Sequence, residues 1–177
     1  MKPTDRYETP QDLFLALDRL FSFDLDAAAE ESTAKCRRWF GPGSYLEVDA
    51  LVLRDAFDGV SGLELNRIKL TIWCNPPYSQ PYLKHFAKWC AGQKNRGHTV
   101  GMLCPYSPET GWWRQWVVGK AILVMEIHPR VQFFLDGVQK KGNKWPSAFV
   151  VWVPWADGPP TQRTWTWKSH ESNGGLL

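Results

Sequence analysis

Cysteine is scarce in this chain, and long hydrophobic runs are absent. The four cysteines, Cys36, Cys74, Cys90 and Cys104, are scattered without a C-x-x-C pair. That spacing argues against a zinc site and for reduced thiols rather than a disulfide framework. No apolar stretch approaches the ~20 residues needed to span a bilayer. Met1 to Glu8 is polar, unlike the start of a signal peptide. A soluble, cytoplasmic protein with neither a metal nor a membrane partner is expected. Charge is also weak: 21 basic against 18 acidic side chains leave +3, compatible with a polyanionic partner but too mild to demand one. There is no internal repeat, and 177 residues suit one compact domain.

What the chain does have is an unusual tetrapeptide, Asn75-Pro76-Pro77-Tyr78, directly after the β-branched, apolar run Ile68 to Cys74. That run reads as a buried strand, which puts the tetrapeptide in the loop at its C-terminal end. The atoms of this loop suit a particular chemistry. An exocyclic amine such as that of adenine is a poor nucleophile, because its lone pair is delocalised into the ring. Acceptors that take a hydrogen bond from each N–H draw that nitrogen toward tetrahedral geometry. The side-chain carbonyl of Asn75 is one such acceptor and the backbone carbonyl of Pro76 a second. Two prolines, Pro76 and Pro77, fix φ and aim those carbonyls. Tyr78 offers a ring face for a base to stack on.

Along the rest of the chain, Thr9 reads as a helix N-cap with Pro10 at the first helical position. Leu13, Phe14, Leu17, Leu20 and Phe21 follow at helical spacing. Phe23 to Asp26 reads as a short strand ending in a carboxylate, and Ala27 to Trp39 has helical tendency until Gly41-Pro42-Gly43-Ser44 breaks it. Pro81 to Lys94 reads as a helix with Tyr82, Phe86, Trp89 and Cys90 facing inward. Thr99 to Cys104, Ala121 to Ile127 and a last strand, Ala148 to Trp155, alternate with a short helix at Trp112 to Val118. Strands alternating with helices predict an α/β fold: a Rossmann-like, mostly parallel sheet with helices on both faces. Ligands in such sheets bind beyond the carboxyl ends of the strands, where Asp26 and Asn75 both fall. Residues 1–156 are read as the catalytic domain and 157–177 as a C-terminal tail. Within that tail Arg163 to Lys168 alternates like a surface strand or a nucleic-acid contact. Eleven tryptophans fit either core packing or base stacking.

Several segments together carry a resemblance: Tyr7 to Pro10, Phe23 to Ala29, Asp49-Ala50-Leu51, Trp73 to Ser79 and Pro146-Ser147-Ala148. In this order they resemble the phage-type DNA N6-adenine methyltransferases, within the S-adenosylmethionine-dependent amino-methyltransferases. The resemblance implies transfer of a methyl group from S-adenosylmethionine to the exocyclic amine of a flipped adenine in double-stranded DNA, by a monomer or weak dimer in the host-cell cytoplasm. It also suggests protection of phage DNA from restriction. Catalytic roles fall on Asn75, Pro76, Pro77 and Tyr78. Cofactor roles fall on Thr9, Pro10, Asp26, Ala27, Asp49 and Leu51. For Thr9 helix capping is the competing reading, and for Asp26 a solvated strand end. The glycine-rich turn that many methyltransferases carry after the first strand is replaced here by Ala27-Ala28-Ala29. Arg130 and Phe133 resemble the segment in which an arginine precedes an aromatic that packs on the flipped base, so Phe133 would face Tyr78 across it; a core phenylalanine reads equally well. Lys140, Lys141 and Lys144 form a basic loop suited to phosphates, as do Arg37-Arg38 and Lys94 to Arg96, although solvated loops are the commoner use of such runs.

Little chain remains for a separate recognition domain. Sequence discrimination is therefore expected to be short or loose, read by Pro105 to Trp113 and Val138 to Trp145. Two other readings stay open: the same fold acting on cytosine N4, an RNA purine or a protein glutamine, and a non-catalytic nucleic-acid binding module.

Overall fold

Residues 3–41, 68–140 and 145–168 are described by a computed structural model. Seven strands form its central sheet: β1 (Leu25–Asp26), β2 (Arg38–Trp39), β3 (Thr71–Cys74), β4 (Thr99–Pro105), β5 (Leu123–His128), β8 (Ser147–Trp152) and β9 (Thr161–Thr166). Two further strands, β6 (Phe134–Leu135) and β7 (Val138–Gln139), make a small hairpin outside it. The sheet order is β2-β1-β3-β4-β8-β5-β9. Among the described residues six of these strands share one direction and β8 opposes them, pairing antiparallel with β4 and β5. The fold is thus α/β with a mostly parallel sheet.

Helices cover both faces, which is why the central strands are apolar on each side. Along β4, Val100, Met102 and Cys104 join Phe86, Cys90, Trp112 and Trp113 in one core, beneath α2 (Tyr82–Gln93) and α3 (Gly111–Trp116). Leu103 points the other way and joins Leu13, Phe14 and Leu17 of α1 (Gln11–Phe21) in a second core with Trp73, Phe149 and Phe133. Gly101, on that same face of β4, is overlain by Phe149; a Cβ there would lie 2.1 Å from its ring. Six of the eleven tryptophans, Trp73, Trp89, Trp112, Trp113, Trp152 and Trp167, are buried, so packing is the main use of indole here. No helix among the described residues is long and apolar enough to cross a membrane.

Four expectations need correction. Pro10, not Thr9, is the N-cap of α1: its carbonyl accepts from Phe14 N (3.1 Å), so the helix starts one residue later than the Thr-Pro pair suggested. Leu20 leaves the apolar stripe and is 58% exposed, while Phe21 reaches Phe149 at 5.4 Å between ring centroids. Residues 27–37 are not helical. The Asp26 carboxylate accepts from the backbone N–H groups of Ala28 (3.1 Å) and Lys35 (3.0 Å), which commits them to a turn rather than to a helix, and the chain emerges as β2. Ala148 to Trp155 is not the last strand, because β9 follows it. The alternation at Arg163 to Lys168 belongs to that strand, which pairs in parallel with β5 at the edge of the sheet.

Candidate active site

Parallel pairing sets Asp26 of β1 beside Trp73 of β3, so the loops leaving both strands open on the same end of the sheet. There they wall a cavity of about 360 Å³, within the size range of small-molecule sites. The third wall is the segment Asp5 to Thr9, which runs out of a single 3-10 turn at Pro3–Arg6. It is tied to the β6–β7 hairpin by reciprocal backbone bonds between Glu8 and Phe134 (2.9 and 3.0 Å) and by the Arg6–Asp136 ion pair (3.0 Å).

Asn75 begins the loop after β3. Its Nδ2 donates to the carbonyl of Tyr7 (3.2 Å) and its Oδ1 accepts from the Tyr78 hydroxyl (3.0 Å). These two partners fix which end of the amide is which. The carbonyl points to the tyrosine side, with a second lone pair left to accept another donor. Burial pushes the Tyr78 phenol well above its ordinary value, so it remains a hydrogen-bond donor rather than a base. Pro76 is buried and Pro77 lines the cavity. Tyr78 and Phe133 do come together, but not as two sides of an open slot. Their rings meet edge to face at 5.9 Å, Phe133 is only 3% exposed, and Tyr7 stacks on its other side, also at 5.9 Å. In this arrangement no base fits between them.

The residues assigned to the cofactor divide. Thr9 is 3% exposed and faces the cavity, with Oγ1 buried and unpartnered. Asp26 is no solvated strand end but 2% exposed. Burial pushes its carboxyl up to about 6 despite the two backbone N–H bonds and the charge of Lys35. Lys35 itself is lowered by burial, against the opposing pull of Glu8 and Asp26. Ala27 is turned away into the α2 and α3 core, because side chains alternate at the strand end, and Ala28 and Ala29 line the cavity in its place. Pro10 serves the start of α1. Asp49 and Leu51 lie outside the described residues. Gly41 replaces the missing glycine-rich turn in one respect. It has φ +149°, and a Cβ on it would fall 1.7 Å from the Ala29 carbonyl oxygen, so only glycine lets these two wall segments meet.

The cavity lining carries the acids Asp5, Glu8, Asp26, Glu30 and Asp136 against the cations Arg6 and Lys35. A cationic ligand suits that excess; a phosphate does not. Of the basic candidates for DNA contact, Arg130, Arg37 and Arg38 are exposed and Lys140 is half-buried where the chain leaves the hairpin. Lys141 and Lys144 lie outside the described residues. Lys94 is spent internally on Asp157 and the carbonyls of Lys120 and Ala156, which removes it from the phosphate candidates. In the loop from Pro105 to Trp113, Trp112 and Trp113 are core residues.

Sequence reasoning missed Asp5, Glu8, Glu30, Lys35 and Gly41. Apart from the glycine, whose turn signal was visible, and Glu8, which lies in the Tyr7 to Pro10 stretch of the resemblance, none is marked by a local pattern.

Two comparisons with known proteins place the chain in a family. The DNA N-6-adenine-methyltransferase (Dam) family model matches residues 1–173. A DNA N-6-adenine-methyltransferase of Escherichia phage T1 is 25% identical over 123 residues, covering 63% of this chain and 40% of that protein. The chain thus spans well under half the length of that relative.

Proposed function

The chain belongs to the DNA N-6-adenine-methyltransferase family, and from that premise we propose that it methylates the exocyclic amine of adenine in double-stranded DNA, using S-adenosylmethionine on a Rossmann-like methyltransferase fold. The observation that carries the reading is the Asn75 amide, oriented by Tyr7 and Tyr78 beside an acidic cavity.

The residues present fit the cofactor. Thr9 Oγ1 is a buried hydroxyl in want of a partner, the Asp26 carboxyl is a ready acceptor for an ammonium, and the lining is acidic as a sulfonium requires. Thr9, Asp26 and Lys35 would hold the methionine end, with Asp49 and Leu51 in the adenine-binding role. When bound, S-adenosylmethionine supplies the electrophilic methyl group, the hard part of the chemistry.

The protein's work is to present the nucleophile. An amine inside a duplex is out of reach, so the target adenine flips out at a cost of a few kcal/mol. Asn75 Oδ1 would accept one N6–H through its remaining lone pair and the Pro76 carbonyl the other, which draws the nitrogen toward tetrahedral geometry and leaves its lone pair exposed on the cavity side. The Tyr78 face takes the base as the Tyr78–Phe133 contact opens, and Phe133 closes on it again. Arg130, Lys140, Lys141 and Lys144 track phosphates around the entry. The enzyme acts as a monomer or weak dimer in the cytoplasm of the host cell.

Labelled methyl transfer to unmethylated duplex DNA, followed by nucleoside analysis, tests this reading. Label in N6-methyladenine is the expected result. Label in cytosine or in protein, or none in DNA despite cofactor binding, would overturn it.

A further inference from the structure

We propose that Asp5 is a positioning residue for the methyl-acceptor loop, acting through Ser79. The inference rests on the reading of Asn75 as the amine-binding residue and extends it to how the loop is held. Pro76 and Pro77 carry no N–H, so the middle of the loop has no backbone donor with which to anchor itself. Its placement depends on its two ends. At the first end the Tyr7 carbonyl takes Asn75 Nδ2 (3.2 Å). At the last, the Asp5 carboxylate takes both donors of Ser79: Oδ1 accepts the backbone N–H (3.0 Å) and Oδ2 the hydroxyl (2.7 Å). A two-oxygen, charge-assisted contact of this kind fixes orientation as well as distance.

Ser79 is also the junction to α2, since its carbonyl accepts from Leu83 N (3.3 Å). One short segment, Asp5 to Tyr7, therefore clamps the loop at both ends, with Tyr78, the residue before Ser79, bonded back to Asn75 (3.0 Å). Asp5 lines the cavity too, but its carboxylate oxygens take the two donors of Ser79 on the acceptor loop, whereas those of Asp26 take backbone N–H groups of the turn after β1 and Thr9 Oγ1 takes none.

The test uses the full chain as wild type, Asp5→Ala, Asp5→Asn, Ser79→Ala, the Asp5→Ala/Ser79→Ala double variant and Asn75→Ala. Single-turnover methyl transfer to unmethylated duplex DNA is measured beside equilibrium binding of S-adenosylmethionine. Asp5→Ala should slow transfer about 10- to 100-fold, as loss of a supporting contact typically does, with cofactor Kd held within about twofold. Ser79→Ala, which keeps the backbone bond, should slow it about three- to tenfold, and the double variant should be no slower than Asp5→Ala within about twofold. Asp5→Asn retains an acceptor for the N–H and a partner for the hydroxyl, and should recover transfer to within about fivefold of wild type.

Wild-type transfer by Asp5→Ala, loss of cofactor affinity in step with rate, or an Asp5→Asn variant as slow as Asp5→Ala would each overturn the proposal. Should Asp5→Ala fail to fold, Ser79→Ala and Asp5→Asn decide: wild-type transfer by Ser79→Ala overturns it. Asn75→Ala separates the two readings. If that variant transfers normally, the acceptor site itself is misread; if it is inactive while Asp5→Ala is normal, only the positioning role fails.

Discussion

The two halves of the site satisfy their polar groups in opposite ways. In the acceptor half, Asn75 Nδ2 and Oδ1, the Tyr78 hydroxyl and both donors of Ser79 find partners within the protein. In the cofactor half, Thr9 Oγ1 is buried without one, while Asp26, whose two oxygens each take a backbone N–H, keeps a buried carboxyl pushed up to about 6. The first has its hydrogen-bonding groups paired and oriented before any ligand arrives, and only the Tyr78–Phe133 ring contact has to part for a base. The second carries an unmet demand, and an unsatisfied buried polar group costs roughly 1–3 kcal/mol, so stability is lost there that a ligand can return. Preorganisation belongs to the half where geometry sets the rate, and the unmet demand to the half where binding does the work.

Substitutions can break this division. Asn75→Ala has the largest expected effect: transfer slowed about 10²- to 10³-fold, the usual cost of removing one preorganised hydrogen-bonding group, with cofactor affinity unchanged. Single-turnover kinetics at saturating cofactor measures it. Asp26→Asn is expected to do the reverse, weakening cofactor binding about 10- to 100-fold as a charge-assisted contact is lost, with little change in the saturated rate.

The pH dependence of binding sharpens the same point. An ammonium partner favours the ionised carboxylate, so affinity rises with pH through about 6. Between pH 5.5 and 7.5 the ionised fraction changes roughly fourfold, and binding titrations should follow it in wild type but not in Asp26→Asn. Folding of the unliganded protein runs the other way. The folded carboxyl, raised from 3.8 to about 6, holds its proton more tightly than the unfolded one, so this residue's contribution falls as pH rises across that window. Thr9→Val has the smallest effect and a split sign: cofactor affinity a few-fold weaker, and the unliganded protein more stable by about 1 kcal/mol in denaturant melts, since an orphaned hydroxyl becomes a methyl.

The same division runs through what could be read from the sequence. Asn75 to Tyr78 was legible because its signal is local: an apolar strand followed by two prolines. α2 was legible from the period of Phe86, Trp89 and Cys90, and the parallel sheet from alternation of strands with helices. The turn after β1 was not, because the Asp26 side chain captures the N–H groups of Ala28 and Lys35, a bond pattern that propensity does not register. Ala27 was misplaced because side chains alternate at the strand end, which turns it into the α2 and α3 core. Thr9 lost its capping role by a shift of one residue. Tyr7 and Glu8 fell within a stretch that carried the resemblance, but the clamping role of Asp5 to Glu8 could not be read, since its contacts to Asn75, Ser79 and Phe134 bridge 68, 74 and about 126 positions. The edge strand β9 was half seen: its alternation was visible, its partner β5 was not.

Equilibrium binding of S-adenosylmethionine to Asn75→Ala and Asp26→Asn, side by side with wild type, tests the division of the site most directly. Wild-type affinity in Asn75→Ala and a loss of about tenfold or more in Asp26→Asn is the predicted result. Equal losses in the two variants, or wild-type affinity in Asp26→Asn, would contradict it.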